Sequence, residues 1–153
     1  MDIAWRIWFN KVKTLFTESV QLQKPDENRP LTIYTDGSYL GVGAVLLQEE
    51  EDGEYRVITT TNRSLSRPEM RLHPTEIEVC ALYHALQKFR SFVFNRKIIV
   101  GSDSISLSFM RNCKLTSSRI SRFIHEIMAY DIEIEYVRGT TNIFADMLSK
   151  PPP

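Results

Sequence analysis

Leu31-Thr-Ile-Tyr-Thr-Asp36 and Ile98-Ile-Val-Gly-Ser-Asp103 are two apolar, strand-like runs that each stop on an aspartate. Short runs of this composition read as strands. An aspartate closing such a run puts a carboxylate at the edge of a folded core. Two further carboxylates fit the pattern. Glu78 shares the apolar face of a predicted helix with Leu82, Ala85 and Phe89, and Asp146 falls in the last predicted helix. Burying an anion without a partner is expensive, so four carboxylates at element ends or on inward faces require a common cation. Asp36, Glu78, Asp103 and Asp146 therefore predict a divalent-metal site.

Outward from these runs, the order is strand, strand, strand, helix, strand, helix, helix, strand, helix. Gly37 and Gly41 bracket a turn into a second strand at about 43–49, and Glu49-Glu-Glu-Asp-Gly53 turns into a third at about 55–61. A helix is predicted from Pro74 to Phe92, a strand over 97–102, short helices over 104–111 and 117–130, and a half-buried strand over 132–137. Asn142 caps a final predicted helix, which Pro151-Pro-Pro153 stops. Upstream, Trp5, Trp8, Phe9, Val12, Leu15 and Phe16 recur at helical spacing over about 2–18, and Gln23 to Pro30 is a polar, proline-bracketed linker. Three antiparallel strands followed by helix-linked ones predict an α/β fold, a mixed five-stranded sheet flanked by helices. In such sheets reactive groups gather at strand ends, where Asp36 and Asp103 lie.

Composition narrows the functional classes. The chain has 153 residues, 42% of them hydrophobic and 25% charged, with a formal net charge of zero. This length suffices for one core without disulfides. The neutral balance excludes a broadly basic nucleic-acid binder, so any such binding must come from local patches or a neighbouring domain. Cys80 and Cys113 lack metal-ligand spacing and read as reduced thiols. No stretch reaches the length of a membrane span, and the expected location is cytoplasmic.

Each carboxylate has a structural alternative. Glu78 could close a capping box begun by Thr75, although His73-Pro74 could itself be the cap and first helical residue. Asp36 could be a turn residue, Asp103 a helix cap, and Asp146 a first-turn aspartate. All four together fit two-metal phosphoryl transfer better. Mg²⁺ takes oxygen ligands, and a pair of such ions can activate a water and stabilise the leaving oxygen. His73, His84 and His125 do not cluster, and His84 and His125 are expected at the surface or rim. Arg111, Lys114, Arg119 and Arg122 form a basic group suited to tracking phosphates, with Arg63, Arg67 and Arg71 as a weaker second group.

Thr35-Asp36-Gly-Ser38, Gly41-x-Gly-Ala-Val-Leu-Leu-Gln48, Ser64-Leu-Ser66, Glu76-Ile-Glu78-Val-Cys-Ala81, Ser102-Asp103-Ser-Ile-Ser-Leu107 and Gly139-Thr-Thr-Asn142-Ile-Phe-Ala-Asp146-Met-Leu-Ser149 occur in that order. Together they resemble the ribonuclease H domain of gypsy-type LTR retrotransposon polyproteins. The resemblance covers residues 31–150; residues 1–30 look like the end of the preceding reverse transcriptase region plus a linker, and 151–153 form a tail. It implies a ribonuclease H-like fold and cleavage of the RNA strand of RNA–DNA hybrids during reverse transcription, leaving 5′-phosphate and 3′-hydroxyl ends. It also implies two Mg²⁺ ions, replaceable by Mn²⁺, held by Asp36, Glu78, Asp103 and Asp146, with Asp36 bridging them. The implied partners are the hybrid and the upstream reverse transcriptase domain, and the implied setting is a virus-like particle.

The chain departs from the family pattern in four places. Gly37 stands where alanine is usual, and Ser104 where histidine is usual. Arg138 to Asn142 lacks the histidine some relatives carry, and residues 112–116 are too few for the basic protrusion of some cellular enzymes. The alternative reading is a non-catalytic module that serves reverse transcriptase assembly, or a domesticated remnant. An integrase core is disfavoured because its glutamate follows both aspartates.

Overall fold

The computed structural model describes residues 24–53, 55–102 and 118–136. The described strands are β1 (Leu31–Gly37), β2 (Gly41–Glu49), β3 (Tyr55–Ser64), β4 (Lys97–Ser102) and β5 (Asp131–Tyr136). The described helices are α1 (Pro74–Lys88), the single turn α2 (Arg90–Val93) and α3 (Ser118–Ile127). The strands form one five-stranded sheet in the order β3-β2-β1-β4-β5. β1, β2 and β3 are antiparallel neighbours, whereas β4 lies parallel to both β1 and β5. This is the expected mixed sheet, and it is a ribonuclease H-like fold.

Topology follows from connection length. Short turns suffice between antiparallel strands, while parallel neighbours need a crossover. Helix α1 lies on the chain path that carries the antiparallel meander over to β4, and it packs on β1 and β2. Leu31 and Ile33 of β1, Ala44 and Leu46 of β2, and Ile98 and Val100 of β4 meet Leu82, Ala85, Leu86 and Phe89 in one core. Helix α3 closes it with Ile120, Phe123, Ile124 and Ile127, a stripe at i, i+3, i+4, i+7.

Helix α1 settles the capping question. His73 is the N-cap, its ring accepting from the Thr75 amide at 3.4 Å, and Pro74 is the first helical residue. Glu76 closes the box by accepting from the His73 amide at 3.0 Å. Glu78 is thereby released from capping and turns inward.

The helix expected to run to Phe92 instead stops at Lys88. Phe89 leaves helical geometry at φ −92°, ψ 9°, and α2 restarts one residue later. The break lets both Phe89 and Val93 reach the core. Asn95 then takes a left-handed conformation, φ 58°, ahead of β4.

The stretch expected as a linker lies against the end of the sheet over residues 24–30, with Pro25 buried. The expected helices over 2–18 and 104–111 and the final predicted helix fall outside the described residues, as does Cys113.

Candidate active site at the end of β1

Asp36 lies next to the last residue of β1 and is only 7% exposed. It stays in the β ladder opposite Gly43. The turn that follows is closed by Ser38, whose amide donates to the Gly41 carbonyl at 2.8 Å and whose hydroxyl accepts from the Leu40 amide at 3.3 Å. Asp36 is thus not the turn residue that its sequence context allowed.

Strand alternation puts Leu31, Ile33 and Gly37 on the face covered by α1 and turns Asp36 the other way. Glu78 approaches from α1, 9% exposed. Gly37 is what brings the two elements together. A β-carbon at Gly37 would sit 2.7 Å from Ile77 Cγ2 and 3.3 Å from the Ile77 carbonyl carbon and oxygen. Only a residue without a side chain allows the backbone of α1 so near the end of β1. Glu78 is the next residue after Ile77, so this contact delivers the second carboxylate to the end of the strand that carries Asp36. The glycine that departs from the usual family residue is therefore a packing requirement in this chain.

Asp103 and Asp146 lie outside the described residues, and so do Arg111 and Lys114. Among the described residues no group of three or more His, Cys, Asp or Glu side chains is placed to hold a metal. The two described carboxylates nonetheless suit a hard divalent ion, which takes carboxylate oxygens.

A third buried carboxylate is one that sequence reasoning missed. Glu69, 3% exposed, begins a 3₁₀ turn between β3 and α1. Arg63 grips it with two parallel bonds of 2.9 Å, Nη1 to Oε2 and Nη2 to Oε1. Ser66 adds its amide at 2.9 Å and its hydroxyl at 2.8 Å, and Arg119 Nη2 donates from α3 at 3.1 Å. The Arg63 bonds lead in holding the Glu69 carboxyl down at about 2, aided by Ser66 and opposed by burial. A local signal existed: Ser66-Arg-Pro-Glu69 has the spacing of a capping box.

This knot also defines part of the basic group. Arg119 is tied to Glu69, yet its side chain remains half exposed. Arg122 is more exposed, and both guanidinium groups lie 5.6 Å from the centre of the Phe123 ring. Phe123 in turn stacks on Tyr83 at 4.0 Å, so the two cations stand on a rigid aromatic platform.

His84 is a correction. Expected at the surface or rim, it is buried in α1, with Nε2 hydrogen-bonded to Thr61 Oγ1 of β3 at 3.0 Å. Helical phase explains the placement, since Ile77, Ala81 and His84 share one stripe. Burial first, and Arg63 second, hold its imidazole down at about 4. His125 is exposed, as expected. Cys80 is buried, and burial pushes its thiol up to about 11, which makes it an inert core residue.

Residues 6–100 match the family model described as an RNase H-like domain found in reverse transcriptase. That match takes in well over half of the 153 residues, and the chain belongs to this family. The chain is 34% identical over 137 residues to the retrovirus-related Pol polyprotein from transposon gypsy of Drosophila melanogaster, covering 89% of this chain. It is 30% identical over 142 residues to that from transposon 297 of the same organism, covering 93%. The chain spans 13% of the length of each of these two relatives.

Among solved structures, RNase H1 from the halophilic archaeon Halobacterium salinarum NRC-1 superposes with a TM-score of 0.58. Its sequence identity is 21%, and the match covers 78% of this chain and 93% of that one. A foamy viral protease-reverse transcriptase in complex with an RNA/DNA hybrid gives 0.60 at 18% identity, covering 84% and 17% of the two chains. At these identities the likeness is one of fold.

Proposed function

We propose that this chain is a nuclease domain that cleaves the RNA strand of an RNA–DNA hybrid during reverse transcription. The observation that carries this reading is the delivery of two buried carboxylates, Asp36 and Glu78, to one end of the sheet through the Gly37–Ile77 contact. The register of β1 and β4 adds support. Tyr34 lies level with Gly101 in a parallel pair, and two residues further along each segment the sequence reads Asp36 and Asp103. The fold supports it too, since a neighbour with the same architecture is an RNase H1 and another was solved on an RNA/DNA hybrid.

In this reading Asp36, Glu78, Asp103 and Asp146 hold two Mg²⁺ ions, for which Mn²⁺ substitutes. Bound divalent ions at such a site lower the pKa of water and offset the charge developing on a phosphodiester. Asp36, on the central strand of the sheet, would be the residue that holds the ions from the middle of the site. Water adds to the phosphorus, the bond to the 3′-oxygen breaks, and that oxygen leaves as a 3′-hydroxyl opposite a 5′-phosphate. Arg119 and Arg122, with Arg111 and Lys114, follow the backbone phosphates, and the ribose 2′-hydroxyl distinguishes RNA from DNA. The upstream partner is a reverse transcriptase domain, in a cytoplasmic virus-like particle. No helix among the described residues is long and apolar enough to cross a membrane.

The test is a labelled RNA–DNA hybrid incubated with the chain in Mg²⁺ and in Mn²⁺, beside Asp36→Asn, Asp103→Asn and a DNA duplex. The expected result is RNA-strand cleavage by the parent chain alone, abolished by chelator. Cleavage by the asparagine variants at the parental rate would overturn the site. Silence of the parent chain, alone and joined to a reverse transcriptase, would favour the non-catalytic module.

A further inference from the structure

At the other end of β1 the chain builds a site whose bound group is its own backbone. Gln48, near the end of β2, is 1% exposed. Its carboxamide pairs with the peptide of residue 26 as a neighbouring strand would: the Asp26 amide donates to Oε1 at 2.8 Å, and Nε2 donates to the Asp26 carbonyl at 2.9 Å. Nε2 also reaches the Arg29 carbonyl at 3.4 Å. Arg96, just ahead of β4, donates from Nη2 to the same two carbonyls, at 2.6 Å for Arg29. Around this core, Arg29 pairs with Asp26, Glu50 and Glu51 at 3.4, 3.3 and 2.8 Å.

We infer that Gln48 and Arg96 form a dock for the backbone of residues 25–29, and that this dock makes a fixed joint where the chain enters β1. The central bonds engage amide and carbonyl groups, so the dock reads the path of the connector rather than its side chains. A buried neutral amide is suited to this, because it offers one donor edge and one acceptor edge to a peptide without the desolvation cost of a charge. The joint lies roughly 17 Å from Asp36, five residues away at the rise of a strand. It therefore governs how the domain is held and not the chemistry at Asp36. Resting on the proposed function, the consequence is that the joint sets where a hybrid held by the upstream region meets the carboxylates.

Backbone order parameters of the full 153-residue chain test this directly. Glu27, Asn28 and Arg29 should show values of about 0.85, as in β1, where an undocked connector gives less than about 0.6. Asp26→Pro removes the amide that Gln48 receives and should drop these residues below about 0.6 with β1 unchanged, whereas Asp26→Ala keeps the amide and should stay high. Arg96→Ala, a change outside the core, should show a smaller drop. Low values in the parent chain would overturn the joint. Equal values in Asp26→Ala and Asp26→Pro would overturn the backbone dock. Cleavage of a short hybrid should be the same in all these proteins. If none of them cleaves, alone or joined to a reverse transcriptase, the nuclease reading fails while the order parameters still decide the joint.

Discussion

Glu69 and His84 are both buried titratable groups, and both are fastened to β3, at Arg63 and Thr61. They are made tolerable in opposite ways. Glu69 keeps its charge because two arginines and Ser66 surround it, and its carboxyl is held at about 2. His84 gives its charge up: burial holds the imidazole at about 4, and the neutral ring needs only a hydroxyl partner. A fold can thus accept an inward ionisable group by importing the counter-charge or by suppressing the charge. The first solution recruits residues far apart in sequence, and the second needs one neighbour.

The largest expected effect comes from breaking the charged solution. Glu69→Ala leaves Arg63 half-buried without its carboxylate and should cost about 3–5 kcal/mol, read from denaturant unfolding. Glu69→Gln keeps the shape and should cost less. A loss below about 1 kcal/mol for Glu69→Ala would reduce the knot to an ordinary surface ion pair. The glutamine variant also probes the link between the two groups. Arg63 lowers the His84 pKa while Glu69 raises it, so Glu69→Gln should move the imidazole further down, as followed by NMR titration.

The pH dependence separates the two solutions. For His84 the folded value lies below the unfolded 6.5, so the folded state binds fewer protons. Its contribution is complete above pH 6.5 and is lost as pH falls toward about 4. For Glu69 the contribution is complete above 4.5 and is lost as pH falls toward about 2. Each step should be worth about 3 kcal/mol at 1.36 kcal/mol per unit. Stability measured from pH 7 to pH 2 should therefore decline in two stages. His84→Gln should flatten the upper stage and leave the lower one. An unchanged upper stage in that variant would show that another group produces it.

Much of the fold was legible because its signals are local. The strand ends close to Asp36 and at Ser102, the His73-Pro74 helix start, and the inward face of Glu78 with Leu82, Ala85 and Phe89 all follow from neighbours within a few residues. Glu69 carried only the Ser66 spacing, because Arg119 lies 50 residues away in sequence. Gln48 carried less still. A glutamine near a strand end reads as a solvent-facing residue, and its partners at 26 and 29 become neighbours only once the sheet has formed. His84 lies inside because helical phase, shared with Ile77 and Ala81, outweighs the general tendency of histidine toward the surface. The break at Phe89 has no glycine or proline to announce it, since two aromatic and aliphatic side chains competing for one core decide it.

The smallest expected effect falls at Gly37, away from both β3 groups. Gly37→Ala places a methyl 2.7 Å from Ile77 Cγ2, a methyl attached directly to the branched β-carbon that cannot swing clear as the tip of a long side chain could. Overpacking of this kind costs about 1–3 kcal/mol and is relieved by moving α1 off β1. That movement carries Glu78 with it and leaves the Glu69 knot on the β3 side in place. The variant should therefore lose hybrid cleavage out of proportion to its stability, while the decline below pH 4.5 keeps its midpoint. Ile77→Ala removes Cγ2 and leaves the backbone contacts of 3.3 Å, so the double variant should be more stable than the sum of the single losses. Strict additivity would mean that the two residues do not meet as described. Glu78 would then owe its place beside β1 to something other than the missing side chain at position 37.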